Sequence, residues 1–258
     1  MPISQLTEKA LRQALGDSAR GLAIHLHQTL DSTNTEAKRL SRTDASIPAL
    51  IVAEEQTNGR GRMGRSFFSP ADTGVYFSLL YETNADPRDA VTVTGAAAVC
   101  VMRAIRSLTG IETAIKWVND LYLGGKKICG ILAESVLCEN TAPRLILGIG
   151  VNLSTSDFPP ELQGVAGSLD APTLSRADLI GAILCELLPF LRDPTDRSWI
   201  ADYKAHSMVL GHAVSWTQNG GVTHGVALDI DERGGLCVCN DAGERFTLAS
   251  GEISLRLD

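Results

Sequence analysis

The sequence has no CxxC pair, no HExxH, no serine-nucleophile triad context and no apolar leader, and each absence closes a class of function. Its six cysteines, Cys100, Cys129, Cys138, Cys185, Cys237 and Cys239, sit among apolar residues at spacings that suit neither a zinc site nor a disulfide scaffold. They read as reduced, buried thiols of a cytoplasmic protein. The alternation Cys237-Val238-Cys239 places two thiols on one strand face as packing groups, so no metal site is assigned there. His25, His27, His206, His212 and His224 lack ligand spacing and read as packing or surface residues. Positive charge is also short: 23 Lys+Arg against 30 Asp+Glu leave a net charge of -7. That balance argues against a general affinity for nucleic acid or anionic membrane, which needs a positive surface. The opening MPISQLTEKALRQALGDSARG contains no h-region, and no apolar run reaches the ~20 residues that span a bilayer. Internal repeats, low-complexity tracts and heptads are missing as well.

What is present is a chain of 258 residues, 44% hydrophobic, enough for one large or two smaller cores. Against its acidic background stands NGRGRMGRSFFSP, with Arg60, Arg62 and Arg65 between Gly59, Gly61 and Gly64. RNA-binding tracts repeat such units through disordered basic regions, whereas here one short copy lies between hydrophobic strands. Glycine lets backbone amides approach an anion, and the guanidinium fork suits phosphate or carboxylate. The loop reads as a lid that orders on an anionic small molecule.

Helical spacing of Leu6, Ala10, Leu11, Ala14 and Leu15 predicts a short first helix ending at Gly16. Thr33-Asn34-Thr35-Glu36 has the form of a capping box, with the Thr33 hydroxyl capping a helix that runs to about Arg42. PALIVAEEQ and GVYFSLLYE read as strands entering and leaving the arginine loop. DAVTVTGAAAVCVMRAIRSL reads as the main core helix. Three strand-like runs follow, ETAIKWVNDLYL, KKICGILAESVL and RLILGIGVNL, joined by Gly124-Gly125 and by a turn over Glu139 to Pro143. Antiparallel pairing of these runs gathers Lys116, Asp120, Lys127 and Asn152 on one part of a sheet. Ser175 starts another apolar helix and RSWIADYKAHS a shorter one. Beyond about Gly211, five short β runs separated by glycine-rich turns predict a small all-β barrel.

Several segments carry both a plain and a functional reading. KWVND is an amphipathic strand end with a turn-favouring Asn-Asp pair, or a cluster of polar site residues strengthened by the Lys126-Lys127 and Gly130 that follow. Glycines within GIGVN weaken a strand unless another group must come close to it. Ser32-Thr33-Asn34 is a helix cap that leaves Ser32 and Asn34 unexplained.

Taken in order, STN, a Gln before GRGRxGR, Ser69-Pro70, KWxND, KxxGIL, GIGVNL and the terminal GEISLR resemble the biotin protein ligases, from about residue 25 to the C-terminus. The resemblance implies an α+β fold: a central mixed, mainly antiparallel sheet with flanking helices over residues 1–208, and an SH3-like β-barrel over 209–258. It implies formation of biotinyl-5′-AMP from biotin and Mg-ATP, then transfer to a lysine of a biotin carboxyl carrier domain. Ser32, Thr33, Asn34, Gln56, Arg60, Gly61, Arg62, Lys127 and Gly130 fall at biotin positions. Arg62, Arg65, Phe67, Lys116, Asn119, Asn152 and Arg256 fall at nucleotide positions. Lys127, Asp120 and Arg62 carry the chemistry, with Asp120 either a magnesium ligand or the base for the incoming lysine. Phe67 stands where the family commonly has tryptophan, and Val118 where it has proline. The monofunctional type is expected, cytoplasmic and without DNA or membrane binding, with homodimerisation left open. A lipoate-attaching ligase and a non-catalytic biotin sensor are the alternatives.

Overall fold

In the computed structural model, which describes residues 6–43, 46–82, 90–137, 143–218, 221–249 and 253–255, seven strands form one mixed sheet. In spatial order they are β1 (Ala23–Leu30), β2 (Ala49–Gln56), β3 (Gly74–Glu82), β7 (Arg144–Asn152), β6 (Lys126–Val136), β5 (Asp120–Leu123) and β4 (Ala114–Lys116). Only β1 and β2 run parallel. A parallel pair needs a crossover, which α2 (Thr33–Leu40) supplies. On that face Ala37 and Leu40 of α2 meet Ala49, Ile51, Leu80 and Ile146. The opposite face carries α1 (Glu8–Leu15), α3 (Ala90–Thr109), α4 (Arg176–Arg192) and α5 (Trp199–Ala205) over a larger core that includes Leu50, Val52, Phe77 and Leu147. The unbroken apolar run of β2 follows from this arrangement, because both faces of the strand are covered.

Four expectations need correcting. Ser32, not Thr33, is the N-cap of α2, and the helix stops at Leu40. The Thr33 hydroxyl is engaged by Gln56 and Ser78, and Glu36 turns to Arg39 at 2.5 Å instead of back to the cap. ETAIKWVNDLYL is not one strand: the chain reverses at Trp117 to Asn119, and Lys116 pairs with Asp120 across a β4–β5 hairpin. The Trp117–Val118 peptide is cis. Within α3, Val91–Thr109 is long and apolar enough to cross a bilayer, with a mean hydropathy of 1.4, but 72% of that window is buried inside the fold. Scattered Thr and Gly hid this run in the sequence.

The fourth correction concerns the thiols. Among the described residues Cys100 and Cys129 are buried, Cys237 and Cys239 half-buried and Cys185 exposed; Cys138 lies outside them. Burial pushes the Cys100 thiol up to about 12 and raises Cys129 as well. Since the thiolate is the reactive form, iodoacetamide at neutral pH should label Cys185 well before Cys100 or Cys129. Peptide mass spectrometry of a labelling time course checks the order; early modification of Cys129 would contradict the buried placement.

The C-terminal strands β8 (Ala213–Gln218), β9 (Gly221–Ile230), β10 (Leu236–Asn240), β11 (Arg245–Leu248) and β12 (Ile253–Leu255) form a second antiparallel sheet in the order β11-β10-β9-β8-β12. Its β9–β10 turn is shaped by the Asp231 carboxylate, which accepts from the amides of Arg233 at 2.8 Å and Gly235 at 2.7 Å. Between them Gly234 takes φ +84°, a left-handed conformation that costs glycine little. The turn docks on α3 and on the β4–β5 hairpin: the Trp117 indole donates to Gly234 O at 2.9 Å and the Thr92 hydroxyl to Arg233 O at 2.8 Å. Nearby, Lys204 pairs with Asp229 at 2.7 Å. The hairpin carrying Asn119 and Asp120 is therefore held from the side of the C-terminal sheet.

Candidate active site

The arginine loop folds back over β6 and β7 instead of extending into solvent. Its base is closed by backbone bonds from Gln56 N to Ser69 O at 3.1 Å and from Phe67 N to Gly59 O at 2.8 Å. Gly59 has no alternative there, since a Cβ would stand 2.3 Å from Phe67 O. At the tip, Arg62–Gly64 makes one 3-10 turn, and Gly61 N bonds Arg65 O at 2.7 Å. Contacts that hold the loop down include Arg62 Nη1, which donates to Asn119 Oδ1 at 3.2 Å, and Arg60 Nη2, which lies 3.3 Å from Glu134 Oε1.

The glycines of β6 and β7 are explained by what lies on them. A Cβ on Gly150 would come within 2.6 Å of the Phe67 ring, and one on Gly130 within 3.2 Å. A Cβ on Gly148 would stand 2.0 Å from Asn34 Oδ1. Side chains from the loop and from α2 thus rest directly on strand backbone.

Ser32, Thr33 and Asn34 are all buried at the start of α2, within a polar network. Gln56 Oε1 accepts from the Thr33 amide at 2.8 Å and from its hydroxyl at 3.1 Å, while Gln56 Nε2 donates to Ser69 Oγ at 2.8 Å. The buried Ser78 hydroxyl lies 2.8 Å from Thr33 Oγ1 and 2.6 Å from Asn34 Oδ1. The other end of that amide, Asn34 Nδ2, donates to Glu134 Oε2 at 2.9 Å. Ser78 and Glu134 were not expected from the sequence. The one available signal was a lone hydroxyl inside GVYFSLLYE and a lone acid at the end of KKICGILAE.

Opposite this network, Lys127 Nζ pairs with Asp120 Oδ1 at 2.7 Å, with their side chains 31% and 19% exposed. The β5–β6 register shifts between Leu121 and Tyr122, with Ile128 the extra residue of β6, and this turns Lys127 to the same sheet face as Asp120. Asn119 Nδ2 donates to Ile131 O at 2.9 Å, and the Tyr203 phenol of α5 donates to Val118 O at 3.3 Å. Burial raises the Tyr203 phenol, and the nearby Asp120 charge raises it further. The hairpin is thus fixed from α5 as well as from the C-terminal sheet.

Ser32, Thr33, Asn34, Gln56, Arg60, Gly61, Arg62, Arg65, Phe67, Asn119, Asp120, Lys127 and Gly130 all line one cleft of about 680 Å³, open mouth included. Lys116 and Asn152 are not on its wall. The Lys116 ammonium sits 5.7 Å from the centre of the Tyr122 ring, and buried Asn152 donates to Gly167 O at 2.9 Å from the end of β7. Arg256 lies outside the described residues. No group of three or more His, Cys, Asp or Glu among the described residues forms a metal cage.

Residues 26–152 match the model of the biotin/lipoate A/B protein ligase family, and residues 209–256 that of the biotin protein ligase C terminal domain. Over 97% of its length the chain is 33% identical to the bifunctional ligase/repressor BirA of Bacillus subtilis (strain 168), covering 79% of that protein. The chain belongs to the biotin protein ligases. It is also 30% identical to the biotin--[acetyl-CoA-carboxylase] ligase of Mycobacterium tuberculosis (strain ATCC 25618 / H37Rv), over 95% of this chain and 93% of that one. The biotin protein ligase from Aquifex aeolicus in complex with biotin and ATP superposes with a TM-score of 0.75 at 28% identity, covering 92% of this chain and 99% of that one. As in other biotin protein ligases, the α+β fold pairs a mixed sheet with a C-terminal β unit.

Proposed function

We propose that this biotin protein ligase joins biotin to ATP in the cleft beneath the arginine loop, then passes the biotinyl group to a lysine of a biotin carboxyl carrier domain. The observation that carries the reading is the convergence, in one cleft, of Lys127 and Asp120, the arginine loop and the polar start of α2. Division of the chain at residues 208 and 209 belongs to the same reading.

In the first step a carboxylate oxygen of biotin attacks the α-phosphorus of ATP, and the bond to the bridging oxygen of pyrophosphate breaks. Two anions have to meet, so cationic donors fixed in place beforehand lower the barrier by offsetting their repulsion. Lys127 and Arg62 both line the cleft and supply that charge. Ser32, Thr33, Asn34 and Gln56 present hydrogen-bonding groups to the ureido ring, while Ile131, Leu132 and Ile149 line the apolar part. Arg65, Phe67 and Asn119 lie toward the nucleotide, with Lys116, Asn152 and Arg256 as outer contacts once it is bound. In the second step the acceptor amine attacks the acyl carbon of the mixed anhydride, and AMP leaves.

The fit to magnesium rests on donor chemistry: Asp120 offers one hard carboxylate, which matches an ion carried mainly by the nucleotide's phosphates. Magnesium supplies charge neutralisation on those phosphates. The same carboxylate, already paired with Lys127, is placed to accept the proton of the incoming lysine. Free thiols accord with a cytoplasmic setting, and the net charge of -7 with no role for DNA.

Biotin-dependent exchange of labelled pyrophosphate into ATP, followed by mass gain on a purified carrier domain, tests the assignment. Exchange driven by lipoate and not biotin would refute it, and exchange without transfer would leave only the first half. Arg62→Gly removes the contact to Asn119 along with a cleft cation. The expected result is escape of the reactive adenylate, seen as label on bystander lysines of an added protein. Retention equal to the parent would remove Arg62 from the closure.

A further inference from the structure

Arg176, the first residue of α4, is the largest of the fully buried side chains among the described residues. Both features are unfavourable in isolation. A helix N-terminus repels a cation, and withdrawing a guanidinium from water costs several kcal/mol unless it is well paired. Its partners include two carboxylates separated by the whole arginine loop: Nη1 pairs with the buried Glu54, and Nη2 lies 3.5 Å from Oδ1 of Asp72, whose side chain is 78% exposed. Glu54 stands two residues before Gln56 on the incoming strand. Asp72 ends the loop with φ +61°, just ahead of β3. The outgoing side is tied further by the Tyr76 phenol, which donates to Pro70 O at 3.0 Å, and by Leu153 N and Ser154 N, which donate to Thr73 O. Arg176 falls between the spans that the two family models match, 26–152 and 209–256.

We propose that Arg176 is a positioning residue for the arginine loop, its guanidinium fork pinning both stems to α4 so that closure is confined to the segment between them. A packing role alone would be served at less cost by an apolar side chain of similar volume, because replacing a buried ion pair in that way is often neutral or stabilising. The fork supplies what an apolar group does not, which is one rigid group directed at two anchors at once. Loosely held stems would widen the range of loop positions in the empty enzyme. Binding would then have to pay for ordering that Arg176 otherwise supplies in advance.

The proposal rests on the ligase reading, and the test separates the two. The unmodified enzyme must first show biotin-dependent pyrophosphate exchange; without it the ligase reading itself fails. The double variant Arg176→Met with Glu54→Leu removes both buried charges and keeps the volume. It should melt within a few degrees of the parent yet show KM for biotin raised about tenfold, kcat within about twofold, and more label on bystander lysines. Arg176→Lys, whose single ammonium reaches one carboxylate at a time, should fall between. A double variant with parental KM and parental adenylate retention would overturn the proposal. Should that variant fail to fold, Arg176→Lys decides: an unchanged KM and unchanged bystander labelling in a folded protein would overturn it equally.

Discussion

Lys127→Ala is expected to abolish adenylate formation while leaving the melting temperature nearly unchanged. The Lys127 and Asp120 side chains are 31% and 19% exposed, so water still reaches the pair, which contributes about 1 kcal/mol to folding. Its role in the reaction is much larger. Removing one cationic donor fixed beside a developing charge costs roughly 10²–10³ in rate. Here the loss also leaves the Asp120 carboxylate unopposed in a cleft that must admit two more anions. Single-turnover assays with biotin and ATP, read as biotinyl-5′-AMP, give the answer beside a thermal melt. A variant that forms adenylate within tenfold of the parental rate would remove Lys127 from the chemistry.

Gly148→Ala should weaken folding and binding together. The added methyl would stand 2.0 Å from Asn34 Oδ1, so one of the two must move. Strand β7 lies between β3 and β6 in the middle of the sheet and is held by pairing on both sides, whereas Asn34 is a side chain at the start of a short helix. Asn34 gives way. It then loses its contacts to Ser78 and Glu134, each worth about 1 kcal/mol and more if a buried group is left unpaired. A loss of about 2–3 kcal/mol would lower the melting temperature by roughly 5–10 °C in a chain of this size. The ligand is affected as well, because the moved amide and the intruding methyl both occupy the wall of the cleft. Calorimetric titration should show biotin affinity reduced at least tenfold, by about 1.4 kcal/mol or more. Parental affinity in the folded variant would show that Asn34 does not shape the site.

The strand GVYFSLLYE was legible to the residue, because an apolar run between turn residues is a local signal and β3 is covered on both faces. The meeting of Lys127 with Asp120 was legible too, once the three strand-like runs were taken as antiparallel. The KWVND reversal was missed because its turn is set by partners far away in sequence, Gly234 for Trp117 and Tyr203 for Val118. Thr33 was misplaced by one position for a similar reason. A capping box and a hydroxyl reaching across to Gln56 look identical in one dimension, and a tertiary hydrogen bond decides between them. Gly148 and Gly150 could be read as places of close approach, but nothing nearby named Asn34 and Phe67 as what approaches. Ser78, Glu134 and Arg176 act through contacts more than forty residues away, beyond the reach of any local pattern.

The way Phe67 lies on Gly130 and Gly150 has a kinetic corollary. One wall of the chamber is furnished by the same segment that shuts it, so swinging the segment outward dismantles the receptacle along with its door. Encounter and enclosure then become a single event. Ligand capture should run slower than diffusion by the fraction of time this segment spends assembled, and stiffening it would quicken entry and delay exit together.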